Sequence, residues 1–163
     1  MLAYYDAVLD LGLKLHECIA LDLGLPETHF KPIFKDPLAT LRLVTYPPGT
    51  GLDNEVGAGA HTDYGSISFI IADDEPALQA RLRNGEWIDL PPDRDSFIIM
   101  VGDTMERWSN GRYVATPHRV QPPRHRRHAL VFHVDPAPHV PVAPLPELGT
   151  AEADAQTYEQ YLS

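Results

Sequence analysis

Residues 39 to 134 consist of short runs of aliphatic, β-branched and aromatic residues, most of them separated by Gly, Pro, Asn or Asp. The runs have the length of β-strands, and the predicted strands are Thr40–Tyr46, Ser66–Ala72, Leu78–Arg81, Glu86–Asp89, Ser96–Val101, Tyr113–Ala115, His118–Val120 and Arg127–Val134. Asn84-Gly85 between two of them is a strong hairpin signal. Many short strands without helical patterns between them predict antiparallel sheets, packed as a sandwich or jelly roll.

Helical patterns lie on either side of this β-rich region. Apolar residues recur at helical intervals from Leu2 to Leu23, and Gly24 and Pro26 indicate the end of this helix. Pro26 can also open a second, short helix through residue 34, because proline suits a first helical turn. We therefore predict a mainly β protein with an N-terminal helix and a short C-terminal helix, Ala151–Leu162.

The length of 163 residues fits one domain. We expect residues 1–163 to form a single domain, with residues 1–36 as its N-terminal helical part and residues 37–136 as its jelly-roll core. Residues 137–163 would add a proline-rich strap and the C-terminal helix, since proline cannot donate to a strand ladder.

The charge of the chain argues against a nucleic-acid partner. The 13 Lys and Arg residues and 23 Asp and Glu residues give a net charge of −10 at pH 7, and phosphate backbones repel such a surface. No run of about 18 uncharged apolar residues suggests a membrane span, and the acidic N-terminal stretch is unlike a signal peptide. The single cysteine, Cys18, cannot form an internal disulfide. We expect a cytoplasmic protein that binds neither nucleic acid nor membrane.

A His-x-Asp pair, His61 and Asp63, stands shortly before the predicted strand Ser66–Ala72. Alternate residues of a strand point to the same side, so both side chains can reach one metal ion. A third candidate ligand, His118, lies 55 residues after Asp63. Two histidines and one carboxylate fill one face of an octahedral ion and leave three positions open, which is typical of non-haem Fe(II) oxygenases.

Five stretches of the chain carry a resemblance to a known family, namely LRLVTYPP, GAGAHTDYGSISFI, GEWIDLPP, RWSNGRYVATPHRV and RRHALVFHVDP. In order and spacing they resemble the Fe(II)/2-oxoglutarate-dependent dioxygenases, and within these the isopenicillin N synthase-like superfamily. The resemblance covers nearly the whole chain. It implies a double-stranded β-helix, a jelly roll whose open mouth holds the iron. It also implies that His61, Asp63 and His118 are the iron ligands.

The resemblance implies 2-oxoglutarate as co-substrate, and its distal carboxylate needs a cation inside the barrel. Arginine presents a planar fork that matches a carboxylate. Four arginines are available after His118, namely Arg119, Arg124, Arg126 and Arg127. The family pattern, counted back from Asp135-Pro136, favours Arg127. We therefore predict that Arg127 and Tyr46 bind the distal carboxylate.

Two positions depart from the family pattern. Ala129 replaces the serine that follows the arginine, and Val44 stands where the family has an asparagine two residues before Tyr46. The loss of one neutral hydrogen bond costs on the order of 0.5–1.5 kcal/mol, which weakens 2-oxoglutarate binding at the Ala129 position without abolishing it. Alternation along the last predicted strand places His133 on the same face as Arg127, where it is either a compensating donor or a structural histidine.

The predicted protein is an oxidoreductase that uses Fe(II), O2 and 2-oxoglutarate to oxidise a small organic substrate, for example by hydroxylation or desaturation, and releases succinate and CO2. Three alternatives are open. An Fe(II) oxidase of the same fold that does not use 2-oxoglutarate is favoured by Ala129 and disfavoured by Arg127 and Tyr46. The others are a truncated, non-catalytic metal-binding jelly roll and a zinc hydrolase.

Members of this family usually carry an N-terminal half ahead of the helix that begins this chain. Without that half, apolar faces of the first helix and of Thr40–Tyr46 are expected to be uncovered. Burial of apolar surface contributes about 25 cal/mol per Å², so an uncovered face favours association. We expect a homodimer or a partner chain to cover it, whether the chain is a natural short form or a fragment.

Overall fold

The structure, a computed structural model, describes residues 1–149 and 155–163. In chain order these residues form α1 (Leu2–Asp22), β1 (Thr40–Tyr46), β2 (Ala58–His61), β3 (Ile67–Ala72), β4 (Leu78–Arg81), β5 (Trp87–Asp89), β6 (Ile98–Val101), α2 (Asp103–Trp108), β7 (His118–Val120), β8 (Arg127–Val134) and α3 (Tyr158–Tyr161). The fold is mainly β, with an N-terminal helix and a short C-terminal helix, which confirms the predicted fold class.

The strands of the described residues form two antiparallel sheets. The first sheet has the order β1-β8-β3-β6 and the second sheet has the order β2-β7-β4-β5. Ile70 and Met100 of the first sheet and Leu78 and Val120 of the second belong to one apolar cluster, so the two sheets face each other. This arrangement is the jelly roll that the sequence predicts.

Strand β8 lies between β1 and β3 inside the first sheet. Alternate residues of β8 line the cavity between the two sheets, namely Arg127, Ala129, Val131 and His133. The residues between them point to the opposite side, where Phe132 and Val134 are buried. The predicted alternation along this strand is therefore confirmed, and β8 has one cavity face and one core face.

Helix α1 packs against the outer face of the first sheet. Val8 and Ile19 of the helix share an apolar core with Phe69 and Phe132 of the sheet. The apolar face of α1 is thus covered within the chain itself, contrary to the expectation that it needs a partner. No helix in the described ranges has the length and apolar character that a membrane crossing requires.

A buried histidine joins α1 to the first sheet. His16 is 1% exposed, and its ring lies 4.3 Å from the ring centre of Phe34. Its Nδ1 donates to the carbonyl oxygen of Gly12 at 2.7 Å, and its Nε2 lies 3.0 Å from Oγ of Ser66. Burial lowers the pKa of His16 to about 4. The ring is therefore neutral at pH 7.

Two predictions about the first and last helical segments need correction. Residues 26–34 form successive turns instead of a second helix, because Pro32 has no N–H to donate within the run. The predicted C-terminal helix falls partly on residues 150–154, which lie outside the described residues. The observed part, α3, begins after Thr157, whose side chain accepts a hydrogen bond from the N–H of Gln160.

Two predictions within the β-rich region are also wrong. Tyr113–Ala115 is not a strand, because the N–H of Ala115 donates to the carboxylate of Glu106 at 2.6 Å and not to a neighbouring strand. Helix α2 lies where no helix was predicted. Its six residues bury Met105 and Trp108, and so short a segment shows no helical period in the sequence.

An apolar row crosses the outer face of the first sheet beyond the end of α1. Leu43 of β1 lies opposite Leu130 of β8, which lies opposite Ile71 of β3. Leu43 is 63% exposed. The expected uncovered apolar face of Thr40–Tyr46 is therefore present in the structure. That a homodimer or a partner chain covers it stays a prediction.

We expect the buried His16 to make stability depend on pH. Unfolded His16 binds a proton below about pH 6.5, whereas folded His16 does so only below about pH 4. The free energy of unfolding is therefore full above pH 6.5 and falls as the pH drops to 4, by about 2–3 kcal/mol from this group. Urea denaturation at several pH values, compared between the wild type and His16→Leu, measures this contribution.

The matched control is His139→Leu, because His139 is exposed. The control should keep the pH dependence of the wild type, whereas His16→Leu should flatten it between pH 4 and 6.5. Parallel curves for the wild type and His16→Leu would contradict the assignment.

Candidate metal centre and co-substrate cavity

The three predicted metal ligands come together where β2 and β7 pair. His61 ends β2 and lies opposite His118, the first residue of β7. Oδ1 of Asp63 is 3.8 Å from Nε2 of His61 and 3.7 Å from Nε2 of His118. Two atoms that each bind one ion at about 2.1 Å are at most about 4.2 Å apart. Both separations from Asp63 are within this limit, and one ligand atom of each of the three residues lies within 4.8 Å of the other two, so the cluster could hold one ion.

The reason that Asp63 reaches the cluster differs from the one expected. Strand β2 ends at His61, so Asp63 is not the next residue on the same strand face. The chain leaves the strand at residue 62 and the carboxylate returns beside the histidine. The prediction that His61 and Asp63 are alternate residues of one strand was therefore wrong, although both side chains line the same cavity.

Hydrogen bonds at Nδ1 orient both histidines. Nδ1 of His61 donates to the carbonyl oxygen of Gly59 at 2.7 Å, and Nδ1 of His118 donates to that of Thr116 at 3.0 Å. A carbonyl oxygen can only accept, so the proton of each neutral ring is on Nδ1 and the lone pair of Nε2 is free. A metal-binding histidine usually donates such a hydrogen bond from the ring nitrogen that does not bind the metal.

The carboxylate of Asp63 lacks a partner for one oxygen. Asp63 is 7% exposed, and its Oδ2 has no hydrogen-bond partner within the described residues. A buried carboxylate oxygen is costly unless a donor or cation satisfies it. The side chain of His61 is 47% exposed, which leaves one side of the cluster open. Two imidazoles, one carboxylate and an open side fit Fe(II).

The first residues of α2 hold the loop that carries Asp63. The N–H of Asp103 donates to the carbonyl oxygen of Asp63 at 2.8 Å. The hydroxyl of Thr104 donates to the carbonyl oxygen of Tyr64 at 2.7 Å, and Thr104 is 0% exposed. The position of the Asp63 carboxylate therefore depends on the packing of its loop against α2.

Two glycines permit this close approach. A Cβ atom at Gly102 would overlap the carbonyl oxygen of Gly65, and a Cβ atom at Gly65 would overlap the carboxylate of Asp135. Burial raises the pKa of Asp135 to about 6. Helix α3 packs on the same region, since the hydroxyl of Tyr161 donates to Oδ2 of Asp103 at 2.9 Å. The C-terminal helix thus supports α2, which in turn supports the metal loop.

A cavity of about 110 Å³ extends from the metal cluster between the sheets, and Arg127 lines it. Arg127 is 2% exposed. No carboxylate in residues 1–149 or 155–163 forms an ion pair with it, and its Nε has no hydrogen-bond partner there. Burial lowers the pKa of Arg127, although arginine stays charged in proteins. The cavity therefore contains a buried positive charge that has no carboxylate in ion-pair contact within the described residues, although Asp73 and Glu75 act on it from a greater distance.

Tyr46 and Ala129, the other two residues predicted at the co-substrate site, lie on the same cavity wall as Arg127. Tyr46 is opposite Arg127 in the register of β1 and β8, and Val44 is opposite Ala129. The guanidinium carbon of Arg127 is 5.2 Å from the centre of the Tyr46 ring. Ala129 and Val44, which replace the polar residues of the family pattern, leave this stretch of wall without a side-chain donor.

The other three arginines considered from the sequence lie elsewhere. Arg124 and Arg126 are exposed. The guanidinium carbon of Arg119 lies 4.2 Å from the ring centre of Trp87, and its Nε donates to Gln79. The cavity lining includes none of these three described side chains. Their positions support the choice of Arg127.

Two further polar residues line the cavity, namely Arg42, which was not predicted from the sequence, and His133, whose role was left open. Nδ1 of His133 lies 2.9 Å from Oγ of Ser68, and burial lowers the pKa of His133. Counting back by twos from Tyr46 gives Val44 and Arg42, so the alternation that placed His133 on its strand could also have placed Arg42 on the cavity side.

Comparison with known proteins decides the family. The sequence profile of the 2OG-Fe(II) oxygenase superfamily matches residues 37–136. The chain belongs to this superfamily. The oxygenase chain is 37% identical over 148 residues to a probable iron/ascorbate oxidoreductase of Dictyostelium discoideum, covering 81% of this chain and 40% of that protein. It is 38% identical over 138 residues to a homoarginine-6-hydroxylase of Oryza sativa subsp. japonica, covering 80% of this chain and 42% of that protein.

Solved structures agree with the oxygenase fold. The crystal structure of a full-length Neurospora crassa protein in complex with alpha-KG superimposes with a TM-score of 0.89 at 26% identity, covering 98% of this chain and 54% of that one. The oxygenase chain thus spans about half the length of the proteins it matches. The predicted use of Fe(II) and 2-oxoglutarate is confirmed for the family, and the assignment of individual residues to these ligands stays a prediction.

We expect the metal site to require each of its predicted ligands. His61→Ala or Asp63→Ala should reduce bound iron from one ion per chain to a small fraction, because two ligands hold an ion far less tightly than three. The measurement is metal analysis after anaerobic loading with Fe(II), with circular dichroism to confirm that the fold is kept. His125→Ala is the control, since its side chain is 83% exposed. Iron content equal to wild type in either ligand variant would refute the assignment.

Thr104 should affect metal affinity without contacting the metal. Thr104→Val removes the hydroxyl that donates to the carbonyl oxygen of Tyr64 and keeps the shape of the side chain. We expect a loss of about 1 kcal/mol in the free energy of unfolding and a roughly threefold to tenfold weaker Fe(II) affinity, because the Asp63 loop is held less firmly. Thr104→Ser, which keeps the hydroxyl, should retain the wild-type affinity in an Fe(II) titration. Equal affinities for Thr104→Val and Thr104→Ser would show that this bond does not position Asp63.

Proposed function

We propose that this oxygenase chain binds Fe(II) through His61, Asp63 and His118, and that it oxidises a small organic substrate with release of succinate and CO2. The observation that carries the proposal is a pair of unsatisfied charges in one cavity. Within the described residues, Asp63 is a buried carboxylate with an oxygen that lacks a partner, and Arg127 is a buried guanidinium without a contacting carboxylate. A metal ion and a dicarboxylate such as 2-oxoglutarate satisfy both groups.

The residues of the chain have separate tasks in this proposal. His61, Asp63 and His118 would hold the ion where β2 and β7 pair, at one end of the cavity. Arg127, with the ring of Tyr46 beside it, orients the distal carboxylate of 2-oxoglutarate. The apolar wall formed by Ile70, Leu78, Val120 and Val131 excludes water. Bound Fe(II) supplies the oxygen chemistry that couples substrate oxidation to decarboxylation of 2-oxoglutarate.

A second candidate function rests on Ala129. Because its methyl group offers no hydrogen bond beside Arg127, an Fe(II) oxidase that does not use 2-oxoglutarate would tolerate this residue. One relative carries the name of a probable iron/ascorbate oxidoreductase. The buried charge of Arg127 favours the first function, because an oxidase without a dicarboxylate would leave that charge without a partner.

Anaerobic titration distinguishes the two functions. Addition of 2-oxoglutarate to the Fe(II)-loaded protein should produce a weak visible charge-transfer band, which reports chelation of the iron by the keto acid. Arg127→Ala should weaken 2-oxoglutarate binding by about tenfold to a hundredfold, because hydrogen bonds to charged groups contribute about 1.5–3 kcal/mol.

Arg126→Ala is the matched control, because Arg126 is an exposed neighbour of the same charge. The control should bind 2-oxoglutarate like the wild type. A larger loss in Arg126→Ala than in Arg127→Ala would show that the wrong arginine was chosen. If the band does not form in the wild type although iron is bound, the second candidate function is favoured.

A further inference from the structure

Arg42 is a second positive charge on the cavity wall, separate from the predicted co-substrate site. It shares the cavity face of β1 with Val44 and Tyr46 and lies opposite Val131 in the register. It is exposed at the cavity mouth. In the part of the chain that the structure describes, no carboxylate forms an ion pair with Arg42. Its guanidinium is therefore free to bind a ligand.

The two faces of β1 differ in chemical character. Leu43 faces outward and is 63% exposed, whereas the charged Arg42 lies on the side of the cavity. The outer face is the side on which α1 packs, so Leu43 continues its apolar character, whereas Arg42 places a charge on the cavity side. The cavity side of β1 is thus suited to a polar ligand.

His133 lies on the same cavity and provides a second polar group. Its Nδ1 is within hydrogen-bond distance of Oγ of Ser68, at 2.9 Å, and its Nε2 has no hydrogen-bond partner within the described residues. In the register of β1 and β8, Arg42 lies opposite Val131, two residues from His133 on the same cavity face. Such diagonal neighbours are about 7–8 Å apart, which allows both side chains to contact one ligand.

The spacing along the strands separates this pair from Arg127. Arg42 lies four residues from Tyr46 on β1, and His133 lies six residues from Arg127 on β8. At about 3.3 Å per residue these intervals are roughly 13 Å and 20 Å. Arg42 and His133 therefore lie away from Arg127 along the cavity wall, which leaves them for a group other than the distal carboxylate of 2-oxoglutarate.

The other charges in the loaded cavity indicate the charge of the ligand that Arg42 binds. Under the proposed function, on which this step rests, the charges of Fe(II) and Arg127 balance those of Asp63 and the two carboxylates of 2-oxoglutarate. Arg42 then remains as one uncompensated positive charge. A carboxylate carries one negative charge and matches the guanidinium fork, whereas a phosphate monoester carries close to two.

We propose that Arg42, assisted by His133, binds a carboxylate of the organic substrate, so that the substrate of this oxygenase is a small monocarboxylic acid. Arg42 fixes the acid at the mouth of the cavity, and the apolar residues Val44, Ile70, Leu78 and Val131 contact the rest of the molecule. The acid would thereby lie beside the open side of the metal cluster.

The test uses the full chain loaded with Mn(II) and 2-oxoglutarate, so that no turnover occurs. The probes are benzoate, phenylacetate and 3-phenylpropionate, each measured beside its own primary amide. Broadening of the probe proton signals by Mn(II) in NMR titrations gives both the affinity and the proximity to the metal. In the wild type, at least one acid should bind about tenfold more tightly than its amide.

Arg42→Gln should remove the preference for the acid, and Arg42→Lys should keep part of it, because the charge remains. Arg126→Gln is the control and should behave like the wild type. The affinity for 2-oxoglutarate should change less than about twofold in Arg42→Gln, which separates this site from the one at Arg127.

Three results would overturn the inference. In the first, no acid in the panel binds better than its amide, or Arg42→Gln keeps the preference; Arg42 then serves only to keep an edge strand from pairing. In the second, Arg42→Gln loses 2-oxoglutarate binding, which would place Arg42 in the co-substrate site. In the third, the wild type binds neither Mn(II) nor 2-oxoglutarate, which would overturn the proposed function and this inference together.

Discussion

Strand β8 must meet two opposite requirements, and the rest of the structure is arranged around it. One of its faces closes the apolar core with α1, where Phe132 and Val134 are buried. The other face carries Arg127 and His133 into a cavity. Because side chains alternate strictly along a strand, a shift of one residue would place the charged groups in the core. Pairing with β1 on one side and β3 on the other fixes the register against such a shift.

The buried charges of the cavity link ligand binding to stability. Asp63 and Arg127 are both nearly inaccessible, and each has an atom without a partner in the described residues. The folded chain therefore bears a desolvation cost that a cation and an anion would remove. Any ligand that binds only the folded state also stabilises it by mass action. Asp63 and Arg127 thus lower the stability of the fold without ligands and, by the same charges, provide affinity for a cation and an anion.

Much of this architecture was accessible from the sequence, because strand alternation and turn residues act locally. The pattern in Arg127–Val134 gave the cavity face of β8, and the His-x-Asp pair with His118 identified a cluster that the structure brings together. Helix α2 was missed because six residues are too few for a helical period. Arg42 was missed because a single arginine in a strand resembles an ordinary surface charge until the facing sheet is known. The support of Asp63 by Thr104 depends on contacts between segments forty residues apart, which no local pattern records.

The order of strands in the first sheet also affects how the chain is made. Strand β1 has β8 as its neighbour in the described sheet, with Thr40 opposite His133. At about 5–20 residues per second, a ribosome needs roughly 5–18 s to synthesise the segment between these two residues. During that interval β8, the neighbour of β1 in the described sheet, has not yet been made. The edge of β1 that pairs with β8, and the side chains of Leu41 and Leu43, are therefore available to chaperones or to other nascent chains until β8 has been synthesised.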